Sequence, residues 1–202
     1  DAYWLMSKFY RDNRLYMLYG NHDMQKKKAK FVKKYYDSYY CDGTDCILPL
    51  FPGIEVYEGL KLCHVRTGME YLLVHGHQGD MMNDILWKLS KFLVRYIWKP
   101  LELAGFNNPI RPAKNYSLQG HTQKRLYSYV EKENKALIVG HTHRPHLPGE
   151  GELPFYNTGS CVHPRCITAI EYENGRFSLV KWCEMARADG GLYVGRCVLA
   201  TQ

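Results

Sequence analysis

Three short apolar runs in this chain end in the same kind of turn, and that repetition constrains it more than any bulk property. Leu15–Tyr19 runs into Gly20-Asn21-His22-Asp23, Tyr71–Val74 into His75-Gly76-His77, and Ala136–Val139 into Gly140-His141-Thr142-His143. Apolar runs of this length bounded by glycine read as buried strands. Five of the nine histidines lie in these turns, although the turns are scattered along the chain. In open α/β sheets, ligands gather outside the carboxyl ends of the strands, so turns distant in sequence can serve one site.

Each turn alone has a plainer reading. Gly, Asn and Asp are turn formers, and a histidine at a strand end is often only a hydrogen-bonded surface group. The conjunction of all three, each after an apolar run, carries the inference. Neutral imidazoles and an Asn carbonyl oxygen suit Zn, Mn, Fe or Ni rather than Ca. Two histidines one residue apart crowd a single small ion but can reach two ions about 3.5–4 Å apart, the spacing of two-metal hydrolytic sites. Glycine beside each candidate ligand removes a Cβ and admits a metal or phosphate to the backbone. His22, next to Asn21, would then lie beside the metals, poised to stabilise a phosphoryl oxygen or protonate a leaving group, with Asp23 orienting its imidazole.

Composition bounds the rest. With 202 residues, 46% hydrophobic and 23% charged, the chain is an ordinary globular one and is read as a single domain, 1–202. No apolar run reaches the roughly 18 residues of a membrane span. Twenty-seven basic against twenty acidic residues leave a net charge of +7, which suits anionic partners without identifying one. The seven cysteines form no C-x-x-C pair, so reduced thiols in a cytoplasmic protein are expected, with a Cys41–Cys46 bridge as the alternative.

Helices are expected over 2–13, 24–40, 81–104 and 119–133, with a loop over 106–117. Strands are expected over 54–57, 60–65, 71–74, 136–139, 155–157, 166–172 and 176–182, the last two joined by an Asn174-Gly175 hairpin turn. Strands alternating with helices early and hairpins late point to an α/β sandwich with a mixed sheet.

With the motifs in place, the chain resembles the calcineurin-like metallophosphoesterases, matching the G-N-H-D/E, His-Gly and G-H-x-H members of their five short motifs. The resemblance implies an αββα sandwich with mixed sheets. It also implies two divalent metal ions (Mn favoured over Fe, Zn or Ni) activating a water against a phosphomonoester, phosphodiester or pyrophosphate. Carried over residue by residue, Asn21, His75 and His141 hold one metal and His143 the other. His22 is the phosphate-contacting catalytic histidine with Asp23 beside it, and His77 and Arg144 face the substrate. Asn157-Thr158-Gly159-Ser160 resembles a further strand-end turn of the family. The remaining motifs, D-x-H and G-D-x-x-D/E, do not occur before Asn21. The expectation is therefore a domain lacking one or two N-terminal strand units, with Asp1 a candidate for the closing acid. Turnover by such a fragment is in question, and the alternative is a non-catalytic metal-binding or scaffold protein.

Two basic segments complete the reading. Lys88, Lys91, Arg95 and Lys99 make a cationic stripe beside Trp87, Phe92, Tyr96 and Trp98, within a helical cap-like insertion at about 81–118. It reads as a helix docked on the sheet or as a peripheral membrane contact, and its place is similar to the cap of UDP-2,3-diacylglucosamine pyrophosphohydrolases, which usually carry Arg where this chain has His22. Lys26, Lys27, Lys28, Lys30, Lys33 and Lys34 read as a solvated helix face, since no nucleic-acid module surrounds them. The expected partner is a phosphorylated small molecule or protein.

Overall fold

The computed structural model describes residues 2–79, 116–163 and 165–202. The cationic stripe Lys88–Lys99 and most of the cap-like insertion lie outside the described residues. The chain forms two compact units, Asp1–Leu60 and Lys61–Gln202.

The first unit opens with α1 (Ala2–Arg11). Asn13 closes it in the left-handed region at φ 55°. There Asn13 N–H bonds Tyr10 O and Arg14 N–H bonds Phe9 O, both at 2.9 Å, a pair of bonds that satisfies the last carbonyls of a helix. β1 (Met17–Leu18) runs parallel to β4 (Val56–Tyr57). The single helix expected over 24–40 is instead three elements. A 3-10 turn at Met24–Lys27 is followed by Lys28 in extended conformation, and α2 covers only Ala29–Tyr36. The remaining residues form β2 (Ser38–Cys41), paired antiparallel with β3 (Cys46–Pro49). Tyrosine serves strands at least as well as helices, so pairing with Ile47 and Leu48 overrides the helical pattern. Met17, Val32, Leu50, Phe51 and Ile54 make this unit's core, and the rings of Tyr3 and Tyr10 meet Phe51 edge-on at 6.2 and 5.7 Å.

The second unit is built on a four-stranded sheet in the order β5 (Gly59–Cys63), β6 (Glu70–Val74), β7 (Ala136–Val139) and β8 (Phe155–Asn157). β6, β7 and β8 are mutually parallel. Side chains alternate across a strand, and the two faces take different partners. Leu72, Val74, Leu137, Val139 and Phe155 pack against Leu126, Tyr127 and Val130 of α3 (Tyr116–Glu133), which begins earlier than expected and takes in His121. On the other face, Tyr71 and Tyr156 meet Phe177, with ring centroids 5.2 and 5.0 Å apart. Phe177 belongs to a three-stranded antiparallel sheet, β9 (Cys166–Glu173), β10 (Arg176–Ala186) and β11 (Leu192–Thr201), with β10 central. β11 was not expected from the sequence. The unit is thus layered helix, sheet, sheet. All seven cysteines are free thiols, including Cys41 and Cys46, which face one another across the β2–β3 hairpin.

Candidate active site

Parallel pairing decides where the histidines of the second unit go. β6 and β7 run in register, with Leu73 beside Ile138, so their carboxyl ends finish level. Gly140 N–H bonds His75 O at 3.0 Å, which ties the two turns together. The His75 and His141 ring centroids stand 5.3 Å apart, and His77 lies 5.5 Å from His75 and 6.5 Å from His141. His77 and His141 are buried, and His75 is half-buried.

The approach depends on Gly76, which has φ 103°. A Cβ there would stand 3.3 Å from the Cβ atoms of both His141 and Val139. On the other side of the turn, His141 and His143 are both left-handed, at φ 60° and 57°. Non-glycine residues bear a cost of about 1–3 kcal/mol each in sparsely populated backbone regions, and persist only where the surroundings hold them.

Two residues of the further strand-end turn, Asn157-Thr158-Gly159-Ser160, to which the sequence reading gave no role of their own, provide that hold. Asn157, buried at the end of β8, donates from Nδ2 to Thr142 Oγ1 at 2.8 Å and to Gly140 O at 3.4 Å, while its Oδ1 accepts Gly159 N–H at 2.9 Å. Ser160 places its Oγ 2.7 Å from His143 Nδ1. Ser160 is fixed in turn by β9, its N–H donating to Thr168 Oγ1 at 2.8 Å. The signal for both was a polar Asn closing a fully buried strand, in a fourth strand-end turn. Arg144 follows His143 and is half-buried.

In the first unit, the Gly20–Asp23 turn closes on itself. Asp23 Oδ1 accepts Gly20 N–H at 2.5 Å, and Asp23 N–H donates to Gly20 O at 3.1 Å. The second carboxylate oxygen, Oδ2, meets Lys26 Nζ at 2.7 Å. Burial opposes the Lys26 charge, but Asp23 outweighs it and holds the ammonium above its usual range. The acid expected to orient His22 thus has one oxygen bonded within the turn and the other paired with Lys26 of the following 3-10 turn. Asn21 is half-buried and His22 exposed.

Among the described residues, no three His, Cys, Asp or Glu side chains converge as a metal-holding group. The second unit offers a smaller donor set. Two imidazoles sharing one ion at the usual bond length of about 2 Å have ring centres about 5 Å apart, and His75 and His141 fit that spacing at 5.3 Å. A neutral imidazole pair suits a borderline divalent ion.

The family model for calcineurin-like phosphoesterases matches residues 2–145. The chain belongs to the calcineurin-like phosphoesterase family. Its mixed α/β fold is of the metallophosphoesterase type, and the match takes in all three histidine turns. No curated protein matches the chain. Among solved structures it is similar to vacuolar protein sorting 29 from Cryptosporidium parvum, with 15% identity over 74% of this chain and 60% of that one, at a TM-score of 0.31. It is also similar to a Streptococcus pneumoniae TIGR4 protein described as a predicted phosphoesterase, with 17% identity over 90% of this chain and 94% of that one, at a TM-score of 0.32. The chain thus spans 60% of the length of the first of these. Calcineurin-like phosphoesterases generally use divalent metals. Among the described residues, no helix is long and apolar enough to cross a membrane.

Proposed function

We propose that this chain hydrolyses a phosphoester. The observation that supports this reading best is the His75–His141 pair, 5.3 Å apart at the level ends of adjacent parallel strands, with His143 braced by Ser160 two residues beyond His141. In this reading His75 and His141 bind one divalent ion and His143 the other, Mn being favoured. What such ions supply is neutralisation of charge on phosphoryl oxygens and a more acidic attacking water. The chain's own residues do the rest. His22, being exposed, contacts a phosphoryl oxygen and passes a proton to the departing alkoxide. Asp23 keeps the His22 turn closed through Gly20 N–H. Arg144 binds a non-bridging oxygen, and buried His77 shapes the floor behind His75 and His141. The substrate is a phosphorylated small molecule or protein.

The test is hydrolysis of bis-p-nitrophenyl phosphate and p-nitrophenyl phosphate with added Mn. His22→Ala is expected to lower turnover by about 10²-fold or more, the usual weight of a general acid, with Mn binding unchanged. Unchanged turnover with metal bound removes His22 from this role.

A second reading, a metal-binding or scaffold protein without turnover, is favoured by two observations. No three-ligand group occurs among the described residues, and the Asp23 carboxylate is taken up by Gly20 N–H and Lys26 Nζ. Stoichiometric Mn binding with no hydrolysis of either ester, by protein of native thermal stability, would support it.

A further inference from the structure

The three-stranded sheet holds two cysteines that the phosphoesterase reading does not use. Cys166, the first residue of β9, lies directly opposite Cys183 of β10. Directly opposed residues share a face, and both cysteines are half-buried free thiols. What such a pair can do depends on which kind of antiparallel site it occupies. In a hydrogen-bonded pair the Cα atoms stand about 5.5 Å apart, and in a non-hydrogen-bonded pair about 4.5 Å, with the side chains closer.

Two observations make Cys166–Cys183 a non-hydrogen-bonded pair. Phe177 donates its N–H to Gln202 O at 3.0 Å and accepts Gln202 N–H at 2.9 Å, so its backbone groups turn away from β9. Cys183 lies an even number of residues further along β10 and turns the same way. β10 is regular between them, since its register with β9 is unbroken and the bulge on its other side adds Leu199 to β11. The hairpin agrees. Its Asn174-Gly175 turn, with φ 52° and 82°, is closed by the hydrogen-bonded pair Glu173–Arg176, and Cys166–Cys183 falls an odd number of pairs beyond. A Cα spacing of about 4.5 Å lies inside the disulfide range of about 4.4–6.8 Å, so neither strand has to move. Cys197 is not so placed. It faces Lys181, diagonal to Cys183, whereas Cys183 faces Gly195, where an added Cβ would collide with Met185 Sδ. Diagonal neighbours stand about 7–8 Å apart at Cα, beyond disulfide reach.

We propose that Cys166 and Cys183 are a redox-modification site that closes an intrachain cross-strand disulfide, with a small-molecule disulfide as oxidant. One of the two, as thiolate, attacks a sulfur of the small disulfide, forming a mixed disulfide and expelling one small thiolate. The other loses its proton and attacks the protein sulfur of that mixed disulfide, expelling the second small thiolate. One protein S–S bond forms and one small S–S bond is broken. Two electrons pass to the oxidant, and the two cysteine protons end on the two released thiols. The pair lies at the start of an edge strand, where such a molecule approaches from outside the sheet.

The sequence makes the test clean, since cleavage after Arg165, Arg176, Lys181, Arg187 and Arg196 puts Cys166, Cys183 and Cys197 in three different peptides. Reduced protein is equilibrated with excess glutathione disulfide, alkylated and mapped by mass spectrometry without reduction. The expected result is a link between peptides 166–176 and 182–187 within monomeric protein, absent from Cys166→Ser and Cys183→Ser but retained in Cys197→Ser. Because the native register already suits the bond, the linked protein is expected to melt no lower than the reduced one. A link between 182–187 and 197–202 in its place, a link found only between chains, a link that lowers the melting temperature, or both thiols still alkylated after oxidation overturns the proposal.

Discussion

Ser160 stands 2.7 Å from His143 Nδ1 and is itself anchored to Thr168, so it sets the rotation of a ring whose backbone is already left-handed. Removing such an orienting partner commonly lowers metal affinity about 10–100-fold. In the proposed reading, in which His143 binds a divalent ion, Ser160→Ala is expected to weaken Mn binding in that range, measured by competition with a fluorescent chelator, at a stability cost of about 1 kcal/mol in urea titrations. A stability loss without an affinity loss would confine Ser160 to a structural role. Glu171 offers a residue-scale test of electrostatics. The Arg196 guanidinium donates to Glu171 Oε2 at 2.6 and 2.9 Å, and Trp182 Nε1 donates to Oε1 at 3.1 Å. These bonds, Arg196 foremost, hold the Glu171 carboxyl below its usual range. A folded-state pKa below the unfolded one stabilises at pH above the unfolded value, about 4.3, and the contribution is lost as pH falls through the lower folded value. Glu171→Gln is therefore expected to destabilise at neutral pH and to match the parent protein in strong acid, as followed by thermal melts across pH.

At the scale of elements, α1 ends because Asn13 takes a conformation that most side chains resist. Asn13→Gly is expected to be neutral or stabilising, whereas Asn13→Val is expected to cost about 1–2 kcal/mol, and the difference in urea midpoint reads it. The same scale shows why pattern reading failed over 24–40. Lysines and tyrosines alternate there in a way that fits a helix, but Lys28 is extended and Ser38–Cys41 pairs with Cys46–Pro49. A hairpin partner is not visible in the helix window itself. β11 was missed for a related reason. Leu192–Thr201 carries Gly195, Arg196 and Cys197 in its middle and has no clean alternation, so only its nine-residue pairing with β10 makes it a strand. By contrast, Ala136–Val139 and Phe155–Asn157 were legible to the residue, because continuous apolar runs between turn signals suit strands covered on both faces.

At the scale of the whole molecule, the aromatic seam between the two sheets of the second unit sets its response to alkali. Tyr156 lies between Tyr71 and Phe177, and its hydroxyl donates to Gln202 Oε1 at 3.0 Å. Burial pushes its pKa up to about 12, with the neighbouring Tyr71 adding to the rise. A raised folded pKa means the contribution is complete below the unfolded value, about 10, and is lost as pH climbs towards the folded one. Tyr156→Phe is expected to be less stable than the parent at neutral pH, with the gap closing between pH 10 and 12. An unchanged gap across that range would show that Tyr156 ionises as readily in the folded protein as in the unfolded chain.

The sequence by itself determined the chemistry on offer: which apolar runs are strands, that each of three ends in histidine and glycine, and hence the family to which the chain belongs. These are local facts, written in apolar runs and in the few residue types that tolerate tight turns. Tertiary structure alone decided which histidines become neighbours and what holds them. The parallel register of β6 and β7 brings His75 to 5.3 Å from His141, Gly76 admits that approach, and Asn157 and Ser160 arrive from a later strand to brace the turn. Such contacts depend on strand order and register, which no single stretch of sequence contains, because each strand's partner is chosen by the packing of both faces of the sheet at once.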